Sequence, residues 1–289
     1  MAKVNPWLDR RVIAYAHQGG AWESPSSTLF AMRHAVRSGA TAIELDVHAS
    51  ADGELVVCHD TTVDRTTNGV GKIADLTLAE LQALDNAYWF IPGADVTPGL
   101  DDDRYPFRGR APSDPEFGVT TLRKVLEEFP DTVLNLDIKQ SAPEVVPYEE
   151  KIFDILTEFG RKDDVIVASF LDRALDAFSA LSKDIPVSAG MTETVNFFQA
   201  VQNREEPPEI RGVAFQVPER QGDLVVVDER FVHEAHRRGI AVHVWTVNDA
   251  DAMERLIGVG VDGVISDVPT TLSAVLGESK VGWAGLRPR

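Results

Sequence analysis

Short apolar runs alternate with amphipathic stretches along the chain. The runs are Val12–Ala16, Ala42–Val47, Val133–Ile138, Val165–Ser169, Ile185–Ala189, Val213–Val217, Ala241–Val247 and Gly263–Ser266. Most are β-branched and apolar throughout, as parallel strands covered on both faces require. Between them, Ser27–Ser38, Thr121–Glu128, Glu149–Phe159, Arg173–Leu181, Asp228–Arg238 and Ala250–Val259 carry helix patterns. Arg37-Ser38-Gly39 and Arg237-Arg238-Gly239 close two of these helices, with cations in the last turn and a glycine after it.

Eight strands with helical crossovers predict an α/β fold, a (β/α)₈ TIM barrel; a doubly wound sheet would give much the same alternation. A further run, Leu55–Cys58, follows the second strand across Asp52-Gly53. That link is too short for a parallel crossover and predicts a hairpin arm beside strand two. Residues 1–289 are read as one domain with an insertion at about 87–118. The insertion is rich in proline and glycine and contains Tyr88, Trp89, Phe90, Tyr105, Phe107 and Phe117, a cluster that predicts an ordered lid.

Composition narrows the function. Twenty-eight Lys and Arg against 46 Asp and Glu give a net charge of −18. That excludes nucleic acid and anionic membrane surfaces as partners, since both need a basic face. A small phosphate-bearing molecule stays open, because a bound divalent cation inverts the local sign. The single cysteine, Cys58, sits in an apolar run and is expected to be buried and inert. Met1–Arg11 has no apolar signal core, and no segment approaches 18 apolar residues. A cytoplasmic protein without a stable membrane anchor is expected; oligomeric state is not readable.

Barrel active sites lie where strands end and βα loops begin. There the sequence places His17 and Gln18, Glu44 and Asp46, His59 and Asp60, Asp137 and Lys139, Ser169, and His243 and Trp245. Glu44 and Asp46 are two apart on one strand and share a face, as do Asp137 and Lys139. Three carboxylates at a barrel mouth suit one divalent cation, Mg²⁺ or Ca²⁺, more than zinc. The alternative is that Glu44 and Asp46 neutralise lysines or arginines at the rim. His17 and His59 flank this cluster and can divide general-base and general-acid work. Asp101–Asp103 reads as a solvated loop, and His34, His233 and His236 as helix-surface residues. His48 is set aside as facing away from Glu44 and Asp46, His243 points inward without a role, and Glu219 and Arg220 are candidates for the site mouth.

The ordered motifs His17-Gln18-Gly19, Pro25-Ser26-Ser27-Thr28-Leu29, Glu44-Leu45-Asp46-Val47, Val56-Val57-Cys58-His59-Asp60 and Arg65-Thr66-Thr67-Asn68-Gly69 open a series. Asp75-Leu76-Thr77, Asn135-Leu136-Asp137-Ile138-Lys139, Ser169-Phe170, Trp245-Thr246-Val247-Asn248 and Asp262-Gly263-Val264-Ile265-Ser266-Asp267 continue it. The set spans almost the whole chain and resembles the glycerophosphodiester phosphodiesterase family of the PLC-like phosphodiesterase superfamily. The resemblance implies metal-dependent hydrolysis of a small phosphodiester to glycerol 3-phosphate and an alcohol. It further implies that Glu44, Asp46 and Asp137 bind the cation and that His17 and His59 act as base and acid through a cyclic phosphate. Lys139 and Gln18 would meet the phosphate, and Trp245 would wall the alcohol pocket.

Three positions depart from the family's usual residues. Gln18 replaces an arginine, Ser26 in Pro25-Ser26-Ser27-Thr28 replaces a glutamate, and Asp137 replaces a glutamate. The first two read as a charge pair lost together, with Glu23 as a candidate substitute carboxylate. Asp137 is reminiscent of the lysophospholipase D and sphingomyelinase D branches. A second reading is therefore a lysophospholipase D-like enzyme with the aromatic insertion as its acyl-chain wall; a third is a non-catalytic phosphodiester-binding barrel.

Overall fold

The computed structural model describes residues 5–286; residues 1–4, part of the leader reading above, lie outside them. The strands are β1 (Ile13–Ala16), β2 (Ala42–Ala49), β3 (Leu55–Val57), β4 (Val133–Ile138), β5 (Val165–Ala168), β6 (Ala214–Pro218), β7 (Arg220–Gln221), β8 (Leu224–Val225), β9 (Ala241–Trp245) and β10 (Gly263–Ser266). The main sheet runs β5-β4-β2-β1-β10-β9-β6, parallel throughout. The predicted strand at Ile185–Ala189 closes the gap. Val187 bridges Val167 of β5 in parallel, while Val213 N–H bonds Val187 O at 2.9 Å and Ala189 N–H bonds Ala214 O of β6 at 2.8 Å. The sheet thus closes on itself, and the open doubly wound alternative is excluded.

The unbroken hydrophobicity of the strands has two causes. One parity faces the surrounding helices: Ile43, Leu45, Val47, Leu134 and Leu136 join the outer core on one side, and Phe215, Val217, Val242 and Val244 on the other. The other parity faces the axis, where Ile13, Tyr15, Ala42, Val133, Ile166, Ala214, Ala241 and Ile265 fill the barrel. Trp7, fully buried on the short helix Pro6–Asp9, seals the floor. Asn5 ties that plug down through 2.7 and 2.8 Å bonds to Val213 O and Gly239 O. Further up the axis the inward residues turn polar: Glu44, Asp46, Asn135, Asp137 and Gln216.

β3 pairs antiparallel with β2, Val47 opposite Val57 and His48 opposite Val56, so the hairpin arm is present. Its return brings Cys58 N–H to Asp46 O at 3.0 Å and sets His59 at the barrel mouth. The aromatic insertion takes a different place from the one expected. Phe107 and Phe117 stack at 5.2 Å and both meet Phe30, while Arg108 lies over Tyr88, Trp89 and Tyr105 at 3.8 to 4.6 Å. The segment is ordered by its own packing against the loop after β1, where Trp22 and Gly93 are also bonded. None of its residues lines the central cavity. As an acyl-chain wall it is corrected: it caps the β1 side of the barrel.

Candidate active site

One cavity of about 720 Å³ opens at the C-terminal ends of the strands, lined by His17, Glu44, Asp46, His59, Asp137, Lys139 and Trp245 among others. Register explains the convergence. Asp46 lies directly beside Asp137 and Glu44 beside Asn135 across the β2–β4 pair. All three carboxylates are at most 6% exposed. Asn135 and Gln216 exchange two amide hydrogen bonds, 3.1 and 2.7 Å, across the cavity floor.

The Lys139 ammonium sits between the carboxylates, 2.8 Å from Asp46 Oδ1 and 3.0 Å from Asp137 Oδ2. The rim-neutralising alternative therefore describes part of the arrangement. Burial tends to neutralise Lys139, but Asp46, Asp137 and Glu44 outweigh it and hold the ammonium firmly charged. Two of the buried carboxylates are nonetheless driven toward their neutral forms. Burial, reinforced by Asp46, pushes Glu44 well above the usual carboxylate range, and burial also raises Asp137. Asp46 Oδ2 and Asp137 Oδ1 are buried with no hydrogen-bond partner. Among the described residues no three His, Cys, Asp or Glu already surround a common centre as a metal site. The unpartnered oxygens are hard donors in a carboxylate-rich pocket, a chemistry that would suit Mg²⁺ or Ca²⁺.

The two histidines face each other with ring centroids 6.4 Å apart. Each is held from behind by a carboxylate, but the two carboxylates are placed differently. Asp267 Oδ1 lies 2.6 Å from His17 Nδ1, and its other oxygen accepts from Asn248 Nδ2 at 2.8 Å. Asp60 Oδ1 lies 2.7 Å from His59 Nδ1 while Arg65 Nε bonds Asp60 Oδ2 at 2.6 Å. Burial lowers His17, but the Asp267 hydrogen bond and the nearby Glu44, Asp267 and Asp46 charges overcome it and raise the imidazole to about 9. Burial raises Asp60, and His59 and Arg65 reverse this to hold it well below the usual carboxylate range.

The loop after β1 positions the remaining groups. Gly20 adopts a φ of +95°, and a Cβ there would come within 2.8 Å of Pro269. Gln18, also in the left-handed region at φ 51°, is 4% exposed and does not line the cavity. Its N–H donates to Glu44 Oε2 at 3.1 Å, and its amide nitrogen lies 3.2 Å from His17 Nε2. Gln18 thus braces Glu44 and His17 from behind the cavity wall. Glu23 bonds the Thr270 N–H and hydroxyl at 3.0 and 2.7 Å, capping the last helix, and is no substitute site carboxylate.

Several residues fall elsewhere than the sequence suggested. His48 shares the parity of Glu44 and Asp46, so it does not turn away. It is buried behind the site, 3.0 Å from Gln140 Oε1 and 3.4 Å from His59 O. Strand parity alone would have found it. His243 is buried against Tyr15, where burial lowers it to about 4. Glu219 is engaged by Arg255, and Arg220 by Asp223 O, so neither reaches the site. The orienting residues Asp60, Arg65 and Asp267 stand in the motifs quoted, but nothing in their spacing marks them as partners of the histidines. Cys58 is buried, and burial pushes its thiol up to about 12.

Comparison with known proteins places this geometry. The sequence model of the glycerophosphoryl diester phosphodiesterase family matches residues 17–271. A glycerophosphodiester phosphodiesterase of Caldanaerobacter subterraneus subsp. tengcongensis is 30% identical over 268 residues, spanning 91% of this chain and 96% of that protein. Among solved structures, the glycerophosphoryl diester phosphodiesterase domain of a Mycobacterium tuberculosis protein is similar with a TM-score of 0.75 at 21% identity, covering 93% of this chain and 99% of that one. An Oleispira antarctica phosphodiesterase, solved in complex with the product sn-glycerol-3-phosphate, has a TM-score of 0.69 at 24% identity, covering 94% and 99%. At those identities the structures speak for the fold.

Proposed function

Because this chain belongs to the glycerophosphoryl diester phosphodiesterase family, we propose that it hydrolyses glycerophosphodiesters to glycerol 3-phosphate and an alcohol, with His17 and His59 moving the protons. The observation that carries the mechanism is the pair of facing imidazoles, 6.4 Å apart, each oriented by its own carboxylate above the buried acidic cluster. That separation leaves room for one phosphoryl group between them.

The acid and base roles follow from the unequal carboxylates. With its Nδ1–H given to Asp60, His59 presents Nε2 to the cavity, and Arg65 already neutralises the Asp60 charge. His59 takes the proton of the substrate hydroxyl that attacks phosphorus. His17, its Nδ1 held by Asp267 and its Nε2 toward the cavity, gives a proton to the departing alkoxide. This reverses the order that the resemblance implies. The cyclic phosphate so formed is opened by water as the two imidazoles exchange roles. Lys139 pairs with the phosphate, and Trp245 walls the pocket. Glu44, Asp46 and Asp137 would hold one Mg²⁺ or Ca²⁺, whose charge would stabilise the negative oxygens that develop on phosphorus. A cytoplasmic setting suits the single, buried cysteine, and among the described residues no helix is long and apolar enough to cross a membrane.

Turnover of glycerophosphocholine tests the reading, measured after EDTA treatment and again with added Mg²⁺ or Ca²⁺. Loss and restoration are expected; full activity in EDTA contradicts the assignment of the carboxylates.

A further inference from the structure

The cavity has two unlike walls. The polar wall comes from β1, β2, β4 and the hairpin arm. The other comes from the loop after β5, the helix Met191–Asn203, β6 and the β7–β8 hairpin. Phe170, Met191, Val195, Phe198, Leu224 and Val226 make it mainly apolar, with Thr194, Gln199 and Gln221 among its polar interruptions. Ten large apolar side chains stand exposed among the described residues, and four of them, Phe170, Met191, Val195 and Leu224, line this one cavity. Phe170 and Leu224 are about half exposed, at 51% and 50%. Apolar surface grouped this way is costly in water unless something covers it.

Local structure aims the wall at the site. Met191 and Val195 lie four apart, one turn along the same helix face, and Phe198 follows three residues on. Gln221 pairs with Leu224 across the β7–β8 hairpin, so both point to one side, and both line the cavity. Arg255 on the helix Ala250–Val259 anchors the base of that hairpin through Glu219 at 2.6 Å. Phe170 meets Trp245 edge-on at 5.6 Å and has the Lys139 ammonium 5.9 Å from its centroid. The apolar track therefore begins where the phosphate would sit and runs outward.

The geometry points to a binding site for an unbranched alkyl or acyl chain carried on the phosphodiester, lying along Phe170, Val195, Phe198 and Leu224. The inference rests on the phosphodiesterase reading only for the polar end of the ligand. A glycerol backbone and a small polar alcohol would leave this wall uncovered; a chain covers it. The aromatic insertion, on the other side of the barrel, has no part in it.

Calorimetric titration with hexyl-, octyl- and decylphosphocholine below their micelle concentrations tests the site directly, since these phosphodiesters have no neighbouring hydroxyl to attack phosphorus. Affinity should rise about fourfold per methylene, with an increasingly negative heat-capacity change. Val195→Asn and Leu224→Ser, both at exposed positions, should each flatten that dependence. Affinity independent of chain length overturns the proposal. Turnover of two series, glycerophospho-n-alkanols and short 1-acyl-glycerophosphocholines, then assigns the chain. A rise in the first series places it on the leaving alcohol, a rise in the second on the glycerol, and either supports the site. Chain-dependent binding without any glycerophosphocholine turnover would remove the phosphodiesterase reading and leave the chain site standing.

Discussion

The two walls of the cavity face the same space with opposite chemistry. On the polar side every group is tied to another: His17 to Asp267 and Gln18, His59 to Asp60, Lys139 to Asp46 and Asp137. On the apolar side Phe170, Met191, Val195 and Leu224 keep large exposed surfaces. The polar side is preorganised for a reaction, with side chains fixed before a ligand arrives. The apolar side has shape and little directionality, as a surface has that recognises length more than identity. Substitutions should separate the two: changes on the polar wall should act on turnover, and changes on the apolar wall on which substrate is preferred.

The largest separation is expected from the histidines. His59→Ala and His17→Ala should each lower kcat by about 10²–10⁴, the usual worth of a positioned acid or base. Binding of decylphosphocholine should persist in both. Loss of binding with turnover would mean that the walls are not independent.

Lys139→Met comes next and reads out in stability. Removing the one lysine from among three buried carboxylates should destabilise the metal-free protein by about 3–5 kcal/mol. Urea denaturation measures this, and added Ca²⁺ should recover more stability in the variant than in the wild type. No difference between the two would argue that the carboxylates do not share one charge site.

A smaller effect should come from Asp267→Asn. His17 is raised to about 9 in the folded protein, above its unfolded value near 6.5. Its contribution to stability is therefore full below about pH 6.5 and is lost as pH climbs through about 9. In metal-free protein, wild-type stability should fall between about pH 6 and pH 9.5 more steeply than that of Asp267→Asn. Parallel stability curves would remove Asp267 as the source of the shift.

The smallest effect on the comparison should come from Phe107→Leu. The side chain packs with Phe30, Phe90 and Phe117, away from the cavity. Melting temperature should drop while the chain-length dependence of binding stays as in the wild type. A changed dependence would return the insertion to the binding site.

The alternation of strands and helices was legible because buried parallel strands leave an unbroken apolar signature, and the hairpin arm because the Asp52-Gly53 link is too short for a crossover. Closure of the sheet rests on the contacts of Val187 and Ala189, and the alternation alone does not distinguish it from an open sheet. The polar wall was legible for a related reason: charged and polar side chains interrupt those runs near their ends, and a spacing of two fixes their common side. Partners contributed by loops left no such mark. Asp267 reaches His17 through a tertiary contact that no sequence period encodes, whereas Asp60 is the chain neighbour of His59, and only the folded loop turns its carboxylate onto the ring. The apolar wall was missed because Val195 and Leu224 look like ordinary helix and hairpin residues, whereas the aromatic insertion drew attention by composition alone. Composition correctly indicated order there, but the location depended on Phe30 and the loop after β1.

The most direct test is to identify the products of glycerophosphocholine by phosphorus NMR in the wild type, His17→Ala and His59→Ala. Glycerol 3-phosphate released with choline, and lost in both variants, is the predicted result. Phosphocholine as product, or undiminished turnover in either variant, would contradict two-histidine hydrolysis at this site.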